Sequence, residues 1–261
     1  MKEQAMEHKR AMERRQFLKG TLGAASLAAL AGCDNLTQSH WFPSILSKAE
    51  QLTDRVQRAV TPANALAKEY AESEVSRVFP ANGNTDPGTA DYATHVEQNF
   101  AEWNVEISGL VRMPMSWSLA AIKELPSRTQ ITRHDCVEGW SAIGKWTGVP
   151  LGDLMRQVQP LPNARFAVFH CADVDDEGVA YYESMAIADA YHPQTILAYE
   201  LNDIPLDVAH GAPLRLRFER QLGYKQAKYV MKIELVETLN GIGGGKGGYW
   251  EDQGYEWYAG I

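Results

Sequence analysis

Between Trp103 and Val236 the chain alternates short period-two segments with short helical ones in no regular order, and this irregularity constrains its architecture most. Trp103-Asn104-Val105-Glu106-Ile107-Ser108-Gly109-Leu110-Val111 alternates apolar and polar residues and closes on a glycine, which predicts a strand. Arg165–His170, Leu214–Phe218 and Tyr229–Val236 predict three more. Ser118–Leu125 predicts a short helix, Pro150–Met155 opens another, and Ile187–Tyr191 predicts a helical turn. Residues 80–92, rich in Pro, Gly, Asn and Asp, predict a loop, as does the stretch into which Ile131–Cys136 leads. There is no βαβ rhythm, no repeat and no G-x-G-x-x-G after a strand. A dinucleotide-binding doubly wound sheet is therefore excluded, and a single α+β domain is expected.

Composition narrows the function. Aromatic residues make up 10% of the 261 residues, which excludes disorder for most of the chain. A net charge of −8 argues against a nucleic-acid partner, which requires a basic footprint to displace counterions. Three cysteines cannot build a disulfide framework.

The first 33 residues read as an address. Arg14-Arg15-Gln16-Phe17-Leu18-Lys19 is a twin-arginine signature, followed by an apolar small-residue stretch, Gly20 to Ala31, too short to span a bilayer core of about 30 Å. Leu30-Ala31-Gly32-Cys33 resembles a bacterial lipobox with Cys33 as the acylated residue. Loss of residues 1–32 would remove six basic and three acidic residues and take the net charge to −11. Attachment to a membrane would then rest on acyl chains alone, not on a basic face. Asp34 resembles the signal that keeps lipoproteins at the inner membrane, so the expected location is the periplasmic side of a bacterial envelope. The expected boundaries are 1–32 for the signal, 33–75 for a lipid-anchored tether with one or two surface helices, and 76–261 for the catalytic domain.

With Cys33 assigned to lipid, Cys136 and Cys171 remain, and neither belongs to a C-x-x-C or C-x-x-C-H. Cys136 lies in Arg133-His134-Asp135-Cys136-Val137-Glu138-Gly139-Trp140. Arg133 and His134 could favour its thiolate, a soft ligand for a transition metal, while Asp135 and Glu138 oppose it. A buried small hydrophobe is the ordinary alternative for a lone cysteine. Further on, Arg215, Arg217, Arg220, Lys225 and Lys228 put five cations within 14 positions of an acidic chain, among glycines and a proline. A solvated charged face is the usual meaning of such a run; a phosphate site is the reading preferred here.

These segments resemble the sulfite-oxidase superfamily of molybdopterin oxidoreductases, from about Phe79 to Glu237. The resemblance rests on Cys-Val-Glu-Gly-Trp at Cys136–Trp140, His-Gly-x-Pro-x-Arg at His210–Arg215, Gly-Tyr-Lys-x-x-Lys at Gly223–Lys228, and Leu197-Ala198-Tyr199-Glu200-Leu201-Asn202. It implies a sulfite-oxidase-like molybdopterin-binding fold with a molybdenum–molybdopterin cofactor. Cys136 would be the sole protein ligand to the metal. His210, Arg215, Gln226, Ala227 and Lys228 match positions that hold the pterin and its phosphate, and Cys171 matches another cofactor contact. Ala81 and Asn82 match a further one loosely, and Arg133 is counted with these candidates. Ala180-Tyr181-Tyr182-Glu183-Ser184-Met185 resembles the segment bearing the active-site tyrosine, which makes Tyr181 the candidate catalytic residue beside Cys136. His192-Pro193 reads as turn chemistry without a catalytic role.

The chain departs from sulfite oxidases in lacking an arginine pair after the metal cysteine, since no cation follows before Lys145. The Cys-Val-Glu-x-Trp form resembles the periplasmic methionine-sulfoxide reductase branch, which has Asn where this chain has His210. The expectation is an exported two-electron oxygen-atom-transfer enzyme acting on a small-molecule substrate. S-oxide reduction and sulfite oxidation are the named alternatives within the class. A monomer is expected, with electrons exchanged through a separate redox partner such as a membrane or periplasmic cytochrome. A cofactor-free lipoprotein scaffold and a thiol enzyme using Cys136 as nucleophile are the rivals outside the class.

Overall fold

The structure is a computed structural model; it describes residues 52–261 apart from 54, 58 and 63. The twin-arginine and lipobox segments lie outside the described residues. Those described between 52 and 60 are helical, with Leu52, Val56 and Val60 exposed. No described helix is long and apolar enough to cross a membrane.

Two five-stranded sheets organise residues 57–261. The first contains β1 (Asn104–Gly109), β2 (Met115–Ser118), β5 (Phe166–Val174), β6 (Ala180–Ala186) and β10 (Val230–Val236), in the order β2-β1-β10-β5-β6. Only β1 and β10 run parallel, with Ile107 opposite Ile233. The second sheet is antiparallel: β3 (Arg128–Asp135), β4 (Ser141–Pro150), β7 (Ile196–Leu201) and β8 (Ile204–Pro205) in sequence order, with β9 (Arg215–Arg217) also pairing with β7.

The helices are short and locally encoded. In α1 (Ala90–Glu97) the Thr89 hydroxyl caps the N–H of Tyr92, and in α2 (Leu119–Glu124) Ser118 caps that of Ala121. In α3 (Leu151–Val158), Leu151, Leu154, Met155 and Val158 recur at helical spacing and are all fully buried. α4 (Ile187–Ala190) is the expected helical turn. α5 (Tyr249–Asp252) lies in the Gly-rich tail.

The main core gathers Trp103, Val105, Ile107, Leu154, Phe169, Leu216 and Ile233. A second cluster of Phe79, Ala142, Trp146, Ile196, Ala198 and Leu201 covers the other face of the second sheet. This explains why β7 carries no alternation: it is buried on both faces. Packing extends N-terminal of the boundary expected at residue 76. Tyr70 N–H donates to Ile131 O at 2.9 Å, and Ala67 N–H to Gln194 Oε1 at 2.7 Å.

Candidate functional site

Cys136 sits in the tip of the β3–β4 hairpin. Its N–H donates to Trp140 O at 2.9 Å, and its carbonyl accepts from Gly139 N–H at 3.1 Å. Gly139 adopts φ +89°, a left-handed turn that a side chain would strain, which accounts for the glycine of Cys-Val-Glu-Gly-Trp. Cys136 is 8% exposed as a residue, and Asn82 Nδ2 approaches its sulfur at 3.8 Å. Burial, with the Glu138 carboxylate adding to it, pushes the Cys136 pKa up. The thiolate-promoting role considered for Arg133 and His134 does not arise. Strand alternation sends Arg133 outward to Asp135, at 2.9 Å with half its side chain exposed, and His134 inward to full burial. Burial, Arg217 and Arg215 depress the His134 pKa to about 2, so its imidazole is neutral.

Cys136 opens into a cavity of about 530 Å³ lined at its inner end by Asn82, Arg215, Gln226 and Lys228. Arg215 is 2% exposed and donates through Nη1 to His210 O at 2.9 Å. Lys228 Nζ donates to Asn82 O at 2.8 Å, to Ala209 O at 3.1 Å and to Asn84 O. Burial and the neighbouring Arg215 push Lys228 down to about 7. Two buried cations lining one cavity favour an anion between them.

The five-cation run divides by partner. Arg217 is buried against Glu219, Nη2 to Oε2 at 2.6 Å, and donates to His134 Nδ1 at 3.0 Å. Lys225 is buried between Glu183 and Glu251. Arg220 lies 3.8 Å from Asp189. Of the five, Arg215 and Lys228 line the cavity. The others neutralise buried carboxylates, so counting charges along the sequence overstates the anion site.

Tyr181 lines the cavity and its hydroxyl donates to Tyr224 O at 2.7 Å. Burial and nearby carboxylates hold its pKa well above the ordinary phenol value, so it stays a proton donor. The remaining candidates stand back from the cavity wall. His210 is locked by Asp207, Nδ1 to Oδ1 at 2.7 Å, and by Phe79 O at 3.0 Å from Nε2. Ala227 is buried in the main core. Cys171 packs against that core, its thiol raised by burial and by Asp173 and Glu183. Ala81 is exposed beside Asn82.

Sequence reasoning missed part of the wall: Asp173, the turn through Asp175 and Asp176, and the tail aromatics Tyr249, Trp250 and Tyr255. Asp173 is 4% exposed, its Oδ1 lacks a hydrogen-bond partner, and burial raises its pKa to about 6. No spacing pattern announces these residues, because they meet only through the β5–β6 hairpin and the folded tail.

The residues present fit a molybdopterin. Arg215 and Asp173 line the cavity, and their buried Nε and Oδ1 atoms lack hydrogen-bond partners that a polar ring system would supply. Among the described residues no group of three or more His, Cys, Asp or Glu side chains could hold a bare metal ion. A lone soft sulfur therefore suits a metal that brings its other ligands with it.

Comparison with known proteins places the chain in a family. The family profile described as oxidoreductase molybdopterin binding domain matches residues 92–241. An Azospira oryzae protein with the provisional name protein-methionine-sulfoxide reductase subunit YedZ1 is 37% identical over 247 residues, 95% of this chain and 87% of that protein. The protein-methionine-sulfoxide reductase catalytic subunit MsrP of Xanthomonas campestris pv. campestris is 33% identical over 200 residues, covering 69% of this chain and 61% of its own length. Its Xanthomonas axonopodis pv. citri counterpart has the same identity and coverage. Among solved structures, the sulfane dehydrogenase SoxCD of Paracoccus pantotrophus aligns with 53% of this chain and 39% of its own at TM-score 0.47 and 18% identity. The chain belongs to the oxidoreductase molybdopterin binding domain family and is a molybdopterin-dependent oxidoreductase of α+β fold.

Proposed function

We propose that this oxidoreductase reduces S-oxides, with Cys136 as the protein ligand of the metal. One observation carries the choice of substrate class: both cavity cations, Arg215 and Lys228, lie buried at the inner end, where the cofactor's phosphate would neutralise them. Among the described residues no other Lys or Arg lines the cavity to gather a dianion such as sulfite. A neutral S-oxide needs none. The names of the Azospira and Xanthomonas relatives support the same class.

In this reading Asn82 would steady the Cys136 sulfur, Arg215 and Lys228 would hold the phosphate, and Gln226 would help to hold the pterin. His210 positions Arg215 through its carbonyl. Bound there, the cofactor supplies two-electron oxygen-atom-transfer chemistry. The balance is one S-oxide, two electrons and two protons to one thioether and one water. A separate redox protein delivers the electrons. Tyr181, turning its hydroxyl from the Tyr224 carbonyl, would donate a hydrogen bond to the substrate oxygen. The raised pKa of Cys136 weighs against the thiol-nucleophile alternative, because little thiolate exists at neutral pH without a metal. We further propose export through residues 1–32 and lipid anchoring at Cys33, facing the periplasm, with Asp34 favouring the inner membrane.

The test is metal analysis and turnover of the exported holoprotein beside Cys136→Ser. Near-stoichiometric molybdenum, reduction of N-acetylmethionine sulfoxide by a reduced viologen, and loss of both in the variant are expected. A molybdenum-loaded protein that oxidises sulfite and leaves S-oxides untouched would overturn the substrate assignment.

A further inference from the structure

The cavity is electrostatically polarised. Five carboxylate residues line it, Asp86, Glu138, Asp173, Asp175 and Asp176, against the two cations Arg215 and Lys228. The cations lie deep and buried, whereas Asp86, Glu138 and Asp176 are exposed at the mouth. No Lys or Arg of the described residues forms an ion pair with the three exposed carboxylates. Asp175 is a built feature of the rim. Its Oδ1 accepts the N–H groups of Glu177 at 3.0 Å and Val179 at 2.8 Å, and its Oδ2 accepts the Tyr249 hydroxyl at 2.8 Å. These bonds hold its pKa below the ordinary carboxylate value, so the charge is permanent at neutral pH.

Part of the cavity wall is aromatic. Tyr181 faces Tyr249 at 5.6 Å between ring centroids, Tyr249 meets Trp250 at 5.3 Å, Trp250 meets Tyr255 at 5.3 Å, and Tyr255 meets Tyr224 at 5.2 Å. Such rings offer apolar surface to the methylene stem of a flexible side chain and polar tips to its oxygen.

Resting on the S-oxide reading, we infer that the mouth selects S-oxides carried on polypeptide whose neighbouring residues are Lys or Arg. The S-oxide side chain passes the aromatic wall, and the flanking residues stay outside, opposite the 82–88 loop and the 173–179 turn. Once the cofactor's phosphate neutralises the two deep cations, the carboxylates of the rim have no counter-charge in the cavity. A cationic peptide is then attracted and an anionic one repelled.

The experiment compares three capped peptides on the holoenzyme with a reduced viologen as donor: methionine sulfoxide flanked by two lysines, two alanines or two glutamates. At low ionic strength kcat/KM for the lysine peptide exceeds that for the glutamate peptide by about tenfold or more, and the gap closes to about twofold in ~0.5 M salt. Calorimetry with the corresponding unreactive sulfone peptides gives the same order of affinity. Asp86→Asn combined with Asp176→Asn narrows the gap between the lysine and glutamate peptides, in kcat/KM and in sulfone affinity alike. Equal values for the three peptides on wild-type enzyme, or a gap that salt leaves unchanged, would refute the inference while leaving S-oxide reduction standing. Reduction of none of them would overturn the S-oxide reading and this inference together.

Discussion

A Cβ built on Gly223 would lie 2.5 Å from His134 Nε2, closer than real side chains tolerate. His134 is itself fully buried, with Phe79 5.6 Å and Trp140 5.5 Å from it between ring centroids. The Gly-Tyr-Lys turn is thus seated directly on the strand that leads to Cys136. Gly223→Ala should destabilise the protein by about 1–3 kcal/mol through overpacking. Denaturant unfolding reads that cost, and molybdenum content after purification reads the displacement of the cavity floor. A variant with wild-type stability and full metal would show that the contact is easily relieved.

Lys228 titrates near 7 in the folded protein because burial and Arg215 oppose its charge. The unfolded lysine keeps its proton to about 10.4. The folded state therefore binds fewer protons between those values, and the cofactor-free protein should gain stability as pH rises from about 7 towards 10. An anion on the site reverses the bias. Sulfate, whose charge is constant over this range, should bind with uptake of about one proton at pH 8. Calorimetry in two buffers of different ionisation enthalpy measures that uptake, and Lys228→Met should abolish it.

Asp173 carries the opposite sign. Its folded pKa, about 6, lies above the ordinary 3.8, so the folded state holds its proton more tightly. Stability is then greatest below the unfolded value and falls as pH rises through 6. Asp173→Asn should raise the stability of the cofactor-free protein at pH 7.5 by about 1–3 kcal/mol and leave it little changed at pH 4. Melting temperatures of the two proteins across this range decide it.

Lys225 joins β6 to the tail by contacting Glu183 and Glu251 at once, and all three side chains are within 2% of full burial. Lys225→Met leaves two buried carboxylates without a cation and should cost about 3–5 kcal/mol. Adding Glu183→Gln and Glu251→Gln should recover a large part of that loss. Urea unfolding of the single and triple variants tests both statements. Protease sensitivity of the tail, which carries Tyr249 and Trp250 on the cavity wall, should rise in the single variant alone.

How much was legible differs by element. β1 declared itself because only one of its faces meets the core, which leaves a clean alternation at Val105 and Ile107. β4, β6 and β7 went unannounced. The inward positions of β4 are Ala142, Gly144, Trp146 and Gly148, and glycines argue against a strand. Residues Tyr182 to Met185 of β6 are all buried, and β7 is covered on both faces, so neither shows a period.

The site divides along the same line. Local sequence determined what chemistry is present: a lone thiol in a glycine turn at Cys136–Trp140, and cations near Arg215 and Lys228, each recognisable because the residues concerned are neighbours in the chain. Tertiary structure alone decided which groups share a cavity. It turned Arg133 outward and His134 inward, assigned Arg217 and Lys225 to buried carboxylates, and left Arg215 and Lys228 to line the cavity. It also brought Asp173 and Tyr249 to the same wall from positions far apart in the chain. The physical reason is that charge and nucleophilicity belong to a side chain, whereas pairing and desolvation depend on what the fold places against it.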